Sequence, residues 1–146
     1  MKESTPTNSP QPPSPTAASE VRLEDGILYF HYNDDLTADL ISSTCQRGLE
    51  LLNQRQISMV PVISTMAPEA RIKIGLSQLG KVINTALIKR TSTVIVVNAH
   101  SSAKRYINLL GKWFLNNRII TVKTLDEAKL EARKFLSEKR AILEHK

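Results

Sequence analysis

Few side chains in this sequence have the types and spacing that catalysis or metal binding requires. His31, His100 and His145 show no ligand spacing with the single cysteine, Cys45, so we predict no metal site. His31 is expected to lie on the face of a sheet. His100 follows a β-branched segment, at the end where parallel α/β folds usually bind ligands, and it is our one candidate ligand-binding histidine. We expect Cys45 to be a buried structural thiol, because no histidine lies near it in the sequence.

Helix capping accounts for the other side chains whose types could support catalysis or phosphorylation. Asp34, Asp35 and Asp39 form the only acidic cluster, and Asp34 or Asp35 can accept hydrogen bonds from the free amide groups of a helix that begins there. Ser77 stands at the predicted start of another helix, where an N-cap is the expected role and phosphorylation the alternative. The five glycines are scattered, which argues against a glycine-rich phosphate-binding loop. We therefore predict no catalytic residue and no cofactor.

Charge is distributed unevenly along the chain, which carries a net charge of +6. Residues 1–70 hold four Lys/Arg and nine Asp/Glu, a balance of −5, whereas residues 71–146 hold sixteen and five, a balance of +11. Such asymmetry indicates an anionic partner for the basic half, although ordinary solvation of helix faces is the alternative explanation. We predict that another protein, acidic in character, docks on a basic helical surface. The residues of this surface are Arg71, Lys73, Lys81, Lys89, Lys104, Arg105 and Lys112.

Nucleic acid is a poorer partner for these cations than a protein is. Aromatic residues make up only 5% of the chain, and they stand in core-type positions rather than between the basic residues. Proteins that bind single-stranded nucleic acid need aromatic rings on which bases stack. The sequence therefore does not indicate a nucleic-acid interface.

The length of the chain is typical of a single domain, so we expect the elements that position these groups to belong to one domain. Residues 1–19 hold five of the seven prolines and almost nothing apolar, so we predict a disordered tail there and a folded domain over residues 20–146. No apolar run approaches the roughly 20 residues that cross a bilayer, and no secretory signal is readable. We therefore expect a cytoplasmic protein. Whether it forms a homodimer is left open.

Alternating strand and helix signals run through the domain. Asp25-Gly26 predicts a tight hairpin turn, because glycine supplies the positive φ that such a turn requires. Pro61 cannot donate a ladder hydrogen bond, so its strand is expected at a sheet edge or with a bulge. The predicted strands cover residues 21–23, 27–32, 57–66, 93–97 and 118–123. The predicted helices run from 33–35 to 54, from 77 to 89, from 101 or 102 to 115, and from 125 to 140.

Local signals also mark the ends of the later helices. Ser101 or Ser102 can cap the third helix, and Asn116-Asn117 is expected to end it. Thr124 and Glu127 have the spacing of a capping box, in which the Thr hydroxyl and the Glu carboxylate each accept a hydrogen bond from the other residue's amide. The side chains of the last helix that we expect to face inward are Leu125, Ala128, Ala132, Phe135 and Leu136.

The element order β-β-α-β-α-β-α-β-α predicts an α/β fold with a mixed, mostly parallel sheet of about five strands and helices packed on it. Over residues 20–138 this order resembles the STAS domain, in its SpoIIAA-like single-domain branch. The residues that carry the resemblance lie between Thr93 and Phe135: the strand VIVV, a helix ending in KWFLNN, the strand RIITV and the segment TLDEAKLEARKFL. STAS domains are also related in shape to CRAL-TRIO lipid-carrying domains.

The resemblance implies a regulatory domain that docks a partner through its second helix and the segment before it, residues 71–89. Regulated STAS domains carry an Asp-Ser-Ser-type turn before that helix, where a kinase adds phosphate. Residues 72–78 of this chain contain only Ser77, without the acidic residue or the second serine. The phosphorylation switch therefore does not carry over with the fold, and Ser77 is the one candidate phosphorylation site.

Three hypotheses about function follow. The first is a non-enzymatic regulatory or protein-binding domain. The second is a small-ligand or lipid-binding module of CRAL-TRIO-like shape, which needs a cavity between the sheet and a helix, with residues 72–79 as its lid. The third, an enzyme, would require His100 to meet Asp34 or Cys45 in one cleft.

Overall fold

The fold is a five-stranded sheet with helices on both faces, seen in a computed structural model that describes residues 17–82, 85–98, 101–114 and 118–144. The strands are β1 (Ser19–Glu24), β2 (Ile27–Tyr32), β3 (Val60–Met66), β4 (Thr91–Val97) and β5 (Ile119–Val122). The helices are α1 (Ala38–Arg55), α2 (Leu76–Val82), α3 (Thr85–Ile88), α4 (Ser101–Phe114) and α5 (Leu125–Glu144). The strand order in space is β1-β2-β3-β4-β5, with β1 antiparallel to β2 and every other neighbouring pair parallel. The predicted α/β class with a mostly parallel sheet is confirmed.

The predicted hairpin turn joins β1 to β2. Asp25 and Gly26 both have positive φ, 54° and 78°, as a two-residue turn matched to the strand twist requires. The strand β2 that follows is buried along nearly its whole length and lies between β1 and β3, inside the sheet as expected. The fold begins slightly earlier than predicted, because Ser19 already belongs to β1.

The two faces of the sheet are covered by different helices. Alternate residues of a strand point to opposite faces, so Phe30 packs with α1, α2 and α3 while Tyr29 packs with α5. Ala103 and Ile107 of α4 pack on Val96, on the same face as Phe30. We call the face covered by α1–α4 the four-helix face and the other the α5 face.

The α5 face is closed by small residues. Ala128 and Ala132 of α5 lie against Ile63 and Ile95, and all four residues are fully buried. Alanine lets the helix axis come close to the sheet, since only a methyl group separates the two backbones. Phe135 and Leu136 are half-buried, but Leu125 is 37% exposed, so its predicted inward orientation is wrong.

The start of α1 differs from the prediction. Its N-cap is Thr37, whose hydroxyl accepts a hydrogen bond from the amide of Leu40 at 3.2 Å. Asp35 instead accepts a hydrogen bond from the amide of Arg71 at 2.8 Å, beside the bridge that pairs Leu36 with Ile72. A long-range backbone partner therefore replaced the local capping role predicted for Asp34 or Asp35.

Pro61 lies in β3, the central strand, so the prediction of an edge position is wrong and that of a bulge is confirmed. Val60 pairs with Thr91 and Pro61 with Thr93, which leaves Ser92 as an extra residue in β4. The register shift accommodates the missing donor of proline inside the sheet. The Ser92 hydroxyl is buried there without a hydrogen-bond partner among the described residues.

Between β3 and β4 the structure describes helical residues over Leu76–Val82 (α2) and Thr85–Ile88 (α3), in the region where one helix over residues 77–89 was predicted, and residues 83–84 lie outside the description. Ser77 lies in the first turn of α2 rather than at its cap, since the helix begins at Leu76 and Gly75 precedes it. Ser77 is exposed. The predicted capping box of α5 is half confirmed: the amide of Glu127 donates to the Thr124 hydroxyl at 3.2 Å, while the Glu127 carboxylate contacts that hydroxyl rather than the Thr124 amide.

Several predictions fall outside the described residues. They concern the tail up to residue 16, His100, the helix end at Asn116-Asn117, and His145. The caps assigned to Ser101 and Ser102 rest on side chains that are also outside the description, although α4 begins at Ser101.

Candidate ligand cavity and basic surface

An apolar cavity of about 160 Å³ lies between the four-helix face and its helices. Every covering helix contributes to it, as does the pair of segments bridged by Leu36 and Ile72. From the sheet the lining side chains are Phe30, Tyr32, Val62, Ser64, Met66, Thr91, Val94, Val96 and Ile119. From the helices and loops they are Leu36, Ile41, Cys45, Ile72, Leu79, Leu87, Ile88 and Ile107.

The few polar groups of the lining are mostly engaged. Tyr32 is almost completely buried and hydrogen-bonds Thr44, and burial raises the pKa of its phenol far above the ordinary value. The Thr91 hydroxyl donates to the Leu87 carbonyl at 2.7 Å. Cys45 is buried and forms no disulfide, as predicted. The cavity therefore presents hydrocarbon and neutral groups at pH 7, which suits an apolar ligand.

The two ends of the cavity differ in charge. One end, lined by Thr91 and Ile119, lies at the start of the parallel strands. Arg90 and Arg118 immediately precede these two residues, and Lys89 follows the lining residue Ile88. Arg118 donates from Nη1 to the Thr91 carbonyl at 2.9 Å, so its guanidinium is held at this end.

The opposite end of the cavity is lined by Leu36, Met66 and Ile72, at the carboxyl ends of β2 and β3. A polar cleft adjoins Leu36 there, and its charged lining residues are all acidic. These residues are Asp34, Asp35 and Glu69. Arg71 and Lys73 flank the lining residue Ile72 at this end, so it carries charges of both signs.

The predicted basic surface is exposed as expected. All seven of its residues are solvent-exposed, on or beside α2, α3 and α4. The sequence carries a related signal that the charge balance understates: between Glu69 and Asp126 it has ten Lys/Arg and no Asp or Glu. We call residues 70–125 the acid-free segment. It supplies every helix over the cavity except α1.

The sheet-face role of His31 is confirmed. Its Nδ1 lies 2.6 Å from the Thr65 hydroxyl, on the α5 face and away from the cavity. Across the described part of the chain, no cluster of three or more His, Cys, Asp or Glu side chains could hold a metal ion.

A buried polar cluster behind the cavity was not predicted. The Ser19 and Thr44 hydroxyls are 2.6 Å apart, and Arg47 donates to the Ser19 carbonyl at 3.2 Å and to its hydroxyl. The cluster ties the first residue of β1 to α1, and Thr44 also hydrogen-bonds the Tyr32 phenol. Nothing in the sequence pattern indicates it, because the partners are more than 20 positions apart.

The chain has no match among protein-family models, curated proteins or solved structures. Among the described helices, none combines the length and apolar composition that a membrane crossing requires.

Proposed function

We propose that this domain is a non-enzymatic binding domain that holds a small apolar ligand in the cavity between its sheet and its helices. The observation that carries this proposal is the apolar cavity itself. Native cores are packed to about 0.75 of their volume, with few voids larger than a water molecule. A cavity of about 160 Å³ in a domain of this size is therefore a feature that needs an explanation.

The size of the cavity limits the ligand. An apolar cavity of about 150 Å³ engineered into another protein stays dry and binds benzene or xenon. Pockets for drug-sized ligands usually enclose about 300–1,000 Å³. The cavity thus fits a benzene-sized molecule or a short alkyl chain, and a whole membrane lipid exceeds it. This narrows the lipid-binding hypothesis raised by the sequence.

Titration with toluene tests the proposal. At a toluene concentration ten times Kd, binding to the native state alone stabilises the protein by about 1.4 kcal/mol. We expect the melting temperature to rise and the amide signals of Val62, Val94 and Ile107 to shift in NMR spectra. Unchanged signals at saturating toluene would overturn the proposal.

A pair of variants localises the binding. Val94→Phe fills the cavity from β4, while Leu130→Phe adds the same ring to an exposed position on α5. Toluene should stabilise the Leu130→Phe protein as it does the unsubstituted protein, and it should leave the Val94→Phe protein unchanged. Equal stabilisation of both variants would show binding elsewhere.

A second candidate function, docking of an acidic protein on the basic helical surface, is favoured by the acid-free segment. The seven cations of the basic helical surface all belong to this segment, and all are exposed to solvent. The test is pull-down of partners by the unsubstituted protein and by a variant with Arg71, Lys73, Lys81 and Lys89 changed to Glu. The matched control reverses Lys123, Lys129, Arg133 and Lys134, on and before α5. A partner lost only from the first variant supports docking, and an identical partner list from all three proteins refutes it.

A further inference from the structure

Ser64 places one hydroxyl in the wall that the sheet forms along the apolar cavity. Its side chain lies on the same side of β3 as those of Val62 and Met66, which also line the cavity. The residues paired with it in the neighbouring strands are Phe30 in β2 and Val96 in β4, and both are lining residues too. The neighbours of the Ser64 hydroxyl along and across the strands are therefore all apolar.

This hydroxyl differs from the other two of the lining. Tyr32 hydrogen-bonds Thr44, and Thr91 donates to the Leu87 carbonyl. Ser64 is half-buried, and its hydroxyl forms no hydrogen bond with another described residue. Most buried polar side-chain atoms have a partner, because a hydroxyl moved from water to apolar surroundings without one loses free energy. The Ser64 hydroxyl is thus available to a ligand.

Water is a poor partner for the hydroxyl at this position. A water molecule inside a protein usually makes about three hydrogen bonds, whereas the lining around Ser64 is hydrocarbon apart from the thioether of Met66. An oxygen atom that belongs to a ligand is better placed, because the rest of the ligand fills the apolar space. The described lining includes no charged side chain, so a neutral ligand suits it better than an ion.

We propose that the ligand is a neutral molecule of about the size of phenol, with one hydroxyl or carbonyl oxygen that hydrogen-bonds the Ser64 hydroxyl. A serine hydroxyl both donates and accepts, so it can pair with either group. The hydrocarbon part of the ligand occupies the space between the sheet and the helices. This inference rests on the proposed function, and it adds the polarity and the orientation of the ligand.

The experiment compares toluene with phenol, in which a hydroxyl replaces the methyl group at nearly the same volume. Cyclohexanone is the probe of similar size that can only accept a hydrogen bond. Dissociation constants for the full chain are measured by calorimetry and NMR titration at pH 7, where phenol is neutral. A wholly apolar cavity would bind phenol far more weakly than toluene, because the phenol hydroxyl would lose its hydrogen bonds to water. We expect phenol or cyclohexanone to bind within about tenfold of toluene.

A pair of variants assigns the hydrogen bond to Ser64. Ser64→Ala removes the hydroxyl and little volume, and Ser77→Ala makes the same change at an exposed position on α2. We expect Ser64→Ala to weaken binding of the better oxygen-bearing probe about tenfold and to leave toluene binding within about twofold. Ser77→Ala should change neither. Urea unfolding should show that Ser64→Ala is at least as stable as the unsubstituted protein, since an unpaired hydroxyl is lost.

The response to toluene distinguishes failure of this inference from failure of the proposed function. If toluene binds and both oxygen-bearing probes bind more than about tenfold more weakly, the inference is wrong and the apolar-ligand function stands. The inference is also wrong if Ser64→Ala leaves the binding of those probes unchanged, or if it destabilises the ligand-free protein. If neither toluene nor the other probes bind, both proposals fall.

Discussion

Helices pack against the two faces of the sheet in different ways. On the α5 face a single helix lies close to the strands, with two alanines set against two isoleucines and no exposed surface on any of the four. On the four-helix face, four helices cover a wider area and leave a cavity of about 160 Å³. The difference shows that one sheet can combine a closely packed face with a face that leaves a cavity.

The closeness of approach explains the difference. Even on the four-helix face, α1 packs tightly: a Cβ on Gly48 would lie 2.8 Å from the Phe30 ring. The helix α4 also approaches closely at Gly111, where a Cβ would lie 2.5 Å from the Ile119 side chain. The longer side chains of α2 and α3, such as Leu79 and Leu87, line the cavity. Small residues bring a helix down onto a sheet, and large ones leave space that their own shapes do not fill.

The largest expected effect comes from truncation on the closed face. Ile63→Ala removes a fully buried side chain that is packed on all sides, and it should lower the free energy of unfolding by about 4 kcal/mol. Ile107→Ala removes a side chain that already borders the cavity, so fewer contacts are lost and about 2 kcal/mol is expected. Urea unfolding measures both. Equal losses would contradict the difference between the faces.

Enlarging a side chain should destabilise the protein on the α5 face and stabilise it on the four-helix face. Ala132→Leu forces three extra carbons between α5 and the sheet and should destabilise the protein by about 2 kcal/mol. Val94→Ile places one extra methyl group in the cavity and should stabilise it by about 0.8 kcal/mol. The comparison of urea midpoints at constant m-value checks both changes. A destabilised Val94→Ile protein would indicate a packed four-helix face.

The two tyrosines of β2, one on each face, should contribute differently to the pH dependence of stability. Burial raises the pKa of both phenols, but the Arg22 guanidinium, 4.3 Å from the Tyr29 ring centre, opposes the shift there. Above pH 10 the unfolded state loses the phenol proton first, so stability falls as pH rises. For Tyr32 this loss is about 1.4 kcal/mol between pH 9 and 11.

The phenylalanine variants isolate these contributions. The fall in unfolding free energy from pH 9 to 11 should become smaller by that amount in Tyr32→Phe, and by less in Tyr29→Phe. Both variants are compared with the unsubstituted protein in urea at each pH. A Tyr32→Phe protein with an unaltered pH dependence would show that the phenol ionises in the native state.

The sequence predicted the features of this fold that local chemistry decides. The Asp25-Gly26 turn, the β-branched strand ending at Val97 and the hydroxyl cap at Thr124 all depend on residues a few positions apart. The order of the elements, and with it the parallel sheet, follows from the same signals.

The features that distant residues decide could not be predicted. Asp35 accepts a hydrogen bond from the amide of Arg71, 36 positions away, instead of capping α1. Pro61 lies in the central strand because β4 has an extra residue at that point. The cavity depends on how side chains from distant elements pack together, which no periodicity encodes. Its basic end was visible in part, since the absence of Asp and Glu between residues 69 and 126 can be read directly.

Because every strand pairs with the strand before it in the chain, the sheet can grow in the order in which it is translated. The helices of the four-helix face also emerge between strands, so that face can be covered as synthesis proceeds. The 20 residues of α5 come last, and at about 5–20 residues per second they take about 1–4 s to translate. Ile63 and Ile95 stay uncovered during that interval, and the nascent chain then presents its best surface to a chaperone.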